Sequence, residues 1–344
     1  MTNKKIKYKS FCFERKFGIE IELSNNLSKK RIKSIINEVS HRDVLVTRYA
    51  NSYDNKIWHV KTDGSCGPKG DYGPNGVEIA TFVCNSMSDL NHVLKIVKEI
   101  KRNGGLVNDF CGLHIHADAS DLNLNSLGRI IIHWLTIEPI LMFALPTKRW
   151  GNKFCQSLAP INFPKLVQYQ YQHYGYSGVA NAYQPIPNDL YARRKTLNLT
   201  NFYRALRLKT DVRKTLELRW PEGTLNINDI QGWVVFFLNF IESTKDKDFS
   251  YSNTIDKNKH ISLTEFFEIL NLGHKDEFFI FDKTIHKNKL WLLNRFIQNE
   301  NIINSDNLLG FFQYIDLQNS IKQQAQTLLN MITKCNHNDY TLIT

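Results

Sequence analysis

The sequence predicts an α+β fold, in which a β-sheet carries helices on one face and a helical section follows at the C-terminus. Three observations lead there. Four short segments alternate apolar and polar residues, the period of a half-buried strand. Apolar patterns of helical period stand between or after them at 89–101, 126–145 and 229–242. Beyond a charged, polar stretch at 243–259 the pattern becomes wholly helical. A chain of 344 residues also exceeds what one core comfortably supports, so residues 1–245 are expected to form one domain and 246–344 a helical appendage.

The first strand is predicted over 16–23, where Gly18-Ile-Glu-Ile-Glu-Leu23 alternates without a break. Ser28 is the expected N-cap of a helix whose Ile32, Ile35, Ile36 and Val39 share one face. Trp58-His-Val-Lys61 reads as a short strand entering the turn Asp63-Gly-Ser65, and the Gly/Pro-rich stretch 66–76 as loop. Residues 77–82 form a second alternating strand. Ser88 or Asp89 then opens a helix that Asn103-Gly-Gly105 stops. Cys111-Gly-Leu-His-Ile-His-Ala-Asp118 is the third alternating strand, and the apolar region 126–145 reads as a buried helix pair. Residues 150–195, rich in tyrosine and poor in periodic signals, are expected to be a long loop, either a substrate lid or a partner interface. Thr215-Leu-Glu-Leu-Arg-Trp220 is the fourth alternating strand, with a helix from about Asp229. Farther on, Ser262-Leu-Thr-Glu265 is a capping box.

Composition narrows the classes. With 42% hydrophobic and 12% aromatic residues the chain has material for a packed interior, which excludes wholesale disorder. No uninterrupted apolar run is long enough to span a bilayer, and the best window, 130–145, carries His133, Glu138 and Pro139. The N-terminus lacks an apolar stretch after its charges, so the cytoplasm is expected, that of a host cell should the gene be viral. Six scattered cysteines without a C-x-x-C are read as small core residues rather than staples or a zinc knuckle. The net charge of +11 is spread out, with no dense basic stripe. Nucleic acid is therefore not the expected partner, and an anionic small ligand suits the charge equally well.

The chemistry lies on the polar faces of the strands. Ile19, Ile21 and Leu23 point one way and Glu20 and Glu22 the other; Val77 and Ile79 oppose Glu78; Leu113 and Ile115 oppose His114, His116 and Asp118; Leu216 and Leu218 oppose Glu217 and Arg219. Alone, a Glu-x-Glu strand reads as a solvated face, a His-x-His as a site or a satisfied pair, and a Glu-x-Arg as a surface ion pair. Joined in one sheet, they gather carboxylates and imidazoles where a solvated face would mix Lys, Thr, Ser and Gln. Glu20 and Glu22 would lie about 7 Å apart, with a repulsion of roughly 2 kcal/mol at an effective dielectric near 20. Divalent cations relieve such a conflict, and oxygen-rich ligation without sulfur suits Mg²⁺ or Mn²⁺, two or more ions.

These segments, with Leu197-Asn198-Leu199 and Glu222-Gly-Thr-Leu-Asn226, resemble in order and spacing the amidoligase family, carboxylate-amine ligases related to glutamine synthetase and glutamate–cysteine ligase. The resemblance covers about residues 15–245 and leaves the last hundred uncovered. It implies a curved antiparallel sheet, the glutamine synthetase-like catalytic fold, whose concave face holds ATP and divalent metals. It also implies a two-step reaction. A carboxylate attacks the γ-phosphate, and an amine then captures the acyl phosphate to give an amide and ADP. Glu20, Glu22, Glu78 and Glu217 match the metal-binding acids, and His116, with His114 beside it, the motif that contacts phosphate or metal. Arg219 matches the arginine expected to stabilise the transferring phosphoryl, and Asp63 a position suited to taking a proton from the amine. Arg149, Asn152 and Asn198 match segments expected at nucleotide or substrate. The donor and acceptor could be amino acids, peptides or proteins, and the C-terminal helices could serve oligomerisation. Glu78-Ile-Ala-Thr-Phe82 departs from the Ser-Pro-like turn common after the acid in relatives. Two other readings use the same residues: a metal-dependent hydrolase such as a nuclease, in which the acids and His-x-His activate water, and a non-catalytic structural protein on the same scaffold.

Overall fold

The computed structural model describes residues 15–339 apart from 25, 48–53, 68–74, 151, 159–162, 185–191, 210–212, 250–260, 273–282 and 300–314. Its centre is one open, seven-stranded mixed sheet in the order β2-β3-β4-β1-β5-β7-β6. The strands are β1 Phe17–Leu23, β2 Val44–Val46, β3 Trp58–Asp63, β4 Gly76–Ala80, β5 Leu113–Asp118, β6 Leu197–Asn198 and β7 Thr215–Leu218. All neighbours run antiparallel except β2 and β3, which are parallel, so the expected wholly antiparallel sheet is corrected at that edge. The three-residue β2 and two-residue β6 are too short to carry a periodic signal in sequence.

The alternation sorts the two faces as expected. Ile19, Ile21, Leu23, Ile79, Leu113, Ile115, Leu216 and Leu218 are fully buried on one side. Helix α1 (Lys29–Val39) packs on β2 and β3, and α6 (Ile227–Thr244) packs on β5; α2 (Met87–Arg102) joins α1 to α6, and α3 (Leu124–Leu141) rests on α6. Ser28 caps α1 by accepting from the Arg31 amide. Helix α2 begins earlier than expected because Ser86, not Ser88 or Asp89, is the N-cap, accepting from the Asp89 amide. Strand β4 ends at Ala80, two residues early. Thr81 follows, and its hydroxyl instead of a ladder carbonyl accepts from the Ile19 amide.

Where a buried helix pair was expected there is a single α-helix with Pro139 near its end, closed by a 3-10 turn at Met142–Ala144. By length and hydropathy the run Leu124–Ala144 would suit a membrane, but most of it is buried inside the protein. The larger correction concerns 150–195. Instead of a loop, it contains α4 (Phe163–Ala182), broken at Gly175 with φ 64° and ψ −157°. Helix α4 lies on α3 so closely that a Cβ on Gly128 would come within 2.0 Å of the Tyr176 carbonyl oxygen.

Helix α5 (Thr200–Leu208) follows β6. The C-terminal section contributes α7 (Leu263–Ile269), α8 (Lys283–Gln298) and α9 (Ile315–Asp339). The capping box forms at Ser262 and Glu265. Helix α8 docks on α6 through Trp291, edge-on to Trp233 at 5.0 Å, and through Asn288, which donates to the Gly232 carbonyl at 2.7 Å. Arg295 reaches from α8 to Glu222 at 2.6 Å and Asp229 at 3.3 Å. Cys66, Cys84, Cys111 and Cys155 are buried and free, while the Cys12 and Cys335 side chains lie outside the described residues, as do parts of the expected loop 66–76 and linker 243–259.

Candidate active site

The register of the sheet places the predicted acids and imidazoles in three rows on the face away from α1, α2 and α6. Glu22 stands opposite Glu78, which stands opposite Lys61. Glu20 stands opposite His114. His116 stands opposite Glu217, which stands opposite Asn198. Glycines make room at two points. Gly18 faces His116 with no side chain, and a Cβ on Gly112 would lie 2.8 Å from His114 Nε2. Glu22, Glu78, His114 and Glu217 are each no more than 5% exposed, so this is a recessed polar floor and not a solvated surface.

The ligating atoms fall into two groups. Glu20, His116 and Glu217 form one, and Glu22, Asp63 and Glu78 the other, with the atoms of each group within 4.8 Å of one another. Asp63 thus belongs with the acids of the second group, its Oδ1 accepting from the Ser65 amide at 2.7 Å and the Ser65 hydroxyl at 2.6 Å. Glu22 Oε2 accepts from the Gly112 amide at 2.6 Å. His114 Nδ1 lies 3.3 Å from Glu20 Oε2, and His116 Nε2 lies 3.4 Å from Glu20 Oε1 and 3.8 Å from Glu217 Oε1.

The two groups differ in charge balance. Burial pushes the Glu217 carboxyl up, but the charges of Arg219 and His116 outweigh it and hold the group below its ordinary range. Glu20 is held well below by the His116 charge and by a hydrogen bond from His114, again against burial. Those acids in turn raise His116 above an ordinary histidine, while burial and Arg219 lower His114. In the second group burial wins. Glu22 is pushed up to about 8, first by burial and then by the Asp63 charge. Burial and the charge of Glu20 push Glu78 well upward against the pull of Lys61. The first group is therefore compensated by the protein's own cations, and the second is largely not.

Arg219 donates to Glu217 and is kept charged by Glu217, Glu20 and Glu22 despite its burial. Among the described residues its Nε and His116 Nε2 are buried without a hydrogen-bond partner, the His116 nitrogen facing the Glu20 and Glu217 carboxylates. Five carboxylates and an imidazole, with no thiolate and with the His116 nitrogen left unpartnered, fit hard divalent cations of the Mg²⁺ or Mn²⁺ class. Beside the floor is a small cleft lined by Glu22, His114, Arg219, Ser65, Phe110 and Phe154, among others.

The remaining predicted residues take supporting positions. Asn198 donates its amide to Glu217 Oε2 at 2.6 Å. Arg149 also lines the cleft, but its guanidinium is spent on the carbonyls of Trp220 at 2.9 Å and Arg219 at 3.0 Å, so it fixes the end of β7. The Asn152 side chain accepts from the Phe154 amide at 2.8 Å, which shapes the turn that carries Phe154. Asp118 stands outside both groups; its carboxylate accepts from the Ser120 amide and hydroxyl. Sequence reasoning missed Lys61, whose ammonium lies 2.6 Å from Glu78 Oε1 and 3.9 Å from Glu20 Oε1. The signal was available: Lys61 is two residues before Asp63 on one strand and so shares its face.

Comparison with curated proteins finds no match. A family model described as "putative amidoligase enzyme" matches residues 13–241, a span that contains every residue of both ligand groups. The chain belongs to this amidoligase family.

Proposed function

We propose that the chain is an ATP- and divalent-metal-dependent ligase that joins a carboxylate to an amine. One observation carries this reading: separated sequence segments converge into two adjoining oxygen-rich groups with Arg219 reaching among them. Glu20, His116 and Glu217 would hold one cation and Glu22 and Glu78 another, with Asp63 beside the second. Bound there, Mg²⁺ or Mn²⁺ would neutralise oxygens of a polyphosphate. The donor carboxylate attacks the γ-phosphorus, the bond to the β-phosphate oxygen breaks, and ADP leaves. The amine then attacks the acyl carbon, phosphate departs, and Asp63 takes the amine proton. Arg219 offers its unpartnered Nε–H to charge developing on the transferring group. His114 faces the same cleft as a phosphate contact.

On this reading the sheet with helices on one face is related to that of glutamine synthetase, the 246–344 helices form an appendage, and the substrates are an amino acid, peptide or protein carboxylate and an amine, met in the cytoplasm. The test is ATP consumption that requires both a carboxylate and an amine, with amide appearing in step with ADP. In parallel, Glu20→Gln and Glu217→Gln should each abolish the metal-dependent thermal shift given by ATP while circular dichroism stays native. An unchanged shift in both variants overturns the site. Cleavage of a labelled strand with metal and no nucleotide would favour the hydrolase instead.

A further inference from the structure

We infer that Lys61 is a built-in counter-cation for the second ligand group, one that must give up its contact with Glu78 when a divalent ion binds there. The inference rests on the reading above only in taking Glu22 and Glu78, with Asp63 beside them, as a cation site. Its ground is a charge imbalance. Arg219 donates to Glu217 and His116 lies 3.4 Å from Glu20, whereas Glu78, in the second group, is met at 2.6 Å by Lys61 from β3. The register sets Lys61 directly across from Glu78, and its ammonium sits at the seam between the two groups, on Glu78 at 2.6 Å with Glu20 beyond at 3.9 Å.

Glu78 Oε1 is the atom both cations want. A metal ion binds an oxygen at about 2.0–2.6 Å, and an ammonium on the same oxygen would leave two positive charges side by side in a recessed site. One of them must move, and the four-carbon stem of lysine allows the ammonium to swing toward solvent, since its side chain is 25% exposed. Lys61 therefore keeps the acidic floor from repelling itself when empty, and it weakens divalent binding at the second group relative to the first. The chain gains stability without metal and loses affinity for it.

The experiment is a calorimetric Mn²⁺ titration of chelator-stripped full-length protein, wild type against Lys61→Met and Lys61→Arg. Lys61→Met should bind Mn²⁺ about tenfold more tightly or better. Its metal-free melting temperature should fall, and its Mn²⁺-saturated melting temperature should return to that of wild type. Lys61→Arg, which keeps the charge, should stay close to wild type in both. Should Lys61→Met not fold, the unmodified protein supplies the answer: an amine-acylating reagent read by mass spectrometry should label Lys61 faster with Mn²⁺ than without. Equal or weaker affinity in Lys61→Met, or labelling indifferent to Mn²⁺, overturns the inference. Wild-type binding with unchanged affinity in Lys61→Met sinks the role of Lys61 alone, while no binding in either protein removes the cation site and the ligase reading with it.

Discussion

Asn198 and Glu217 face each other across β6 and β7, and the Asn198 amide donates to Glu217 Oε2 at 2.6 Å. The other end of the Asn198 side chain, Oδ1, accepts from the Thr200 amide at 3.0 Å, so the residue is pinned at both ends and nearly sealed from solvent. Arg219 takes the remaining oxygen of Glu217. Between them the two residues fix how this carboxylate points into the first ligand group.

Asn198→Asp separates the two bonds. It keeps an acceptor for Thr200 but removes the donor to Glu217 and puts a second negative charge against it. Loss of such an orienting partner weakens metal affinity by about 10–100-fold. The expected result is that loss in a Mn²⁺ titration, with the fold retained by circular dichroism. Unchanged affinity would mean that Arg219 alone sets the pose of Glu217.

Gly112 makes a second, steric contribution. A methyl group there would sit 2.8 Å from His114 Nε2 and 3.5 Å from Glu22 Oε2. The His114 ring can swing away, so Gly112→Ala should cost a modest amount of unfolding free energy, about 1–3 kcal/mol. It should cost the site more, because the ring would leave Glu20, which it now meets at 3.3 Å. Denaturant melts and Mn²⁺ titrations on the same variant check both halves; a variant that loses stability but binds Mn²⁺ normally would refute the second.

Much of this site was legible because a strand's period of two assigns every residue to a face without knowledge of partners. Glu20, Glu22, Glu78, His114, His116, Glu217 and Arg219 could be grouped by that rule alone. What it cannot give is register. The contact between Lys61 and Glu78 and the hold of Asn198 on Glu217 come from pairing between strands far apart in sequence, and a lone lysine on a strand otherwise reads as a solvated residue. Helix starts were read well where a serine caps, as at Ser28 and Ser262. Helix α4 was invisible for the opposite reason: tyrosines and glycines are weak helix formers, and its break at Gly175 scrambles the apolar stripe. Packing of Val179 and Ala180 against neighbouring elements overrides that weak propensity.

The docking of α8 on α6 depends on Gly232 in the same way as α4 depends on Gly128. A Cβ at Gly232 would fall 2.3 Å from the Trp291 ring, which also donates to Asp229 at 3.1 Å. Gly232→Ala should destabilise the protein by about 1–3 kcal/mol. Combined with Trp291→Ala it should cost less than the sum of the two single changes, because the clash disappears with the ring. Chemical denaturation of the four-member cycle measures this, and simple additivity would show that the helices do not meet at this point.

His133 predicts how stability responds to acid. It lies on α3, 2% exposed, with Nδ1 against the Arg129 carbonyl at 2.8 Å and its ring edge-on to Phe249 at 5.1 Å. Burial, with smaller contributions from the charges of Lys247 and Arg129, lowers it from 6.5 to about 4. The folded protein thus binds fewer protons at this group than the unfolded chain between those two values. Unfolding free energy must then rise with pH across that window, and the stabilisation is complete above 6.5 and lost as pH falls toward 4. The full shift corresponds to no more than about 3 kcal/mol. His133→Gln has no such titration, so between pH 4 and 6.5 its stability should fall less steeply than that of wild type. Urea melts at several pH values for both proteins give the two slopes. Parallel slopes would place the proton uptake of acid unfolding elsewhere, on carboxylates such as Asp121, which Arg15 holds down to about 2 against burial.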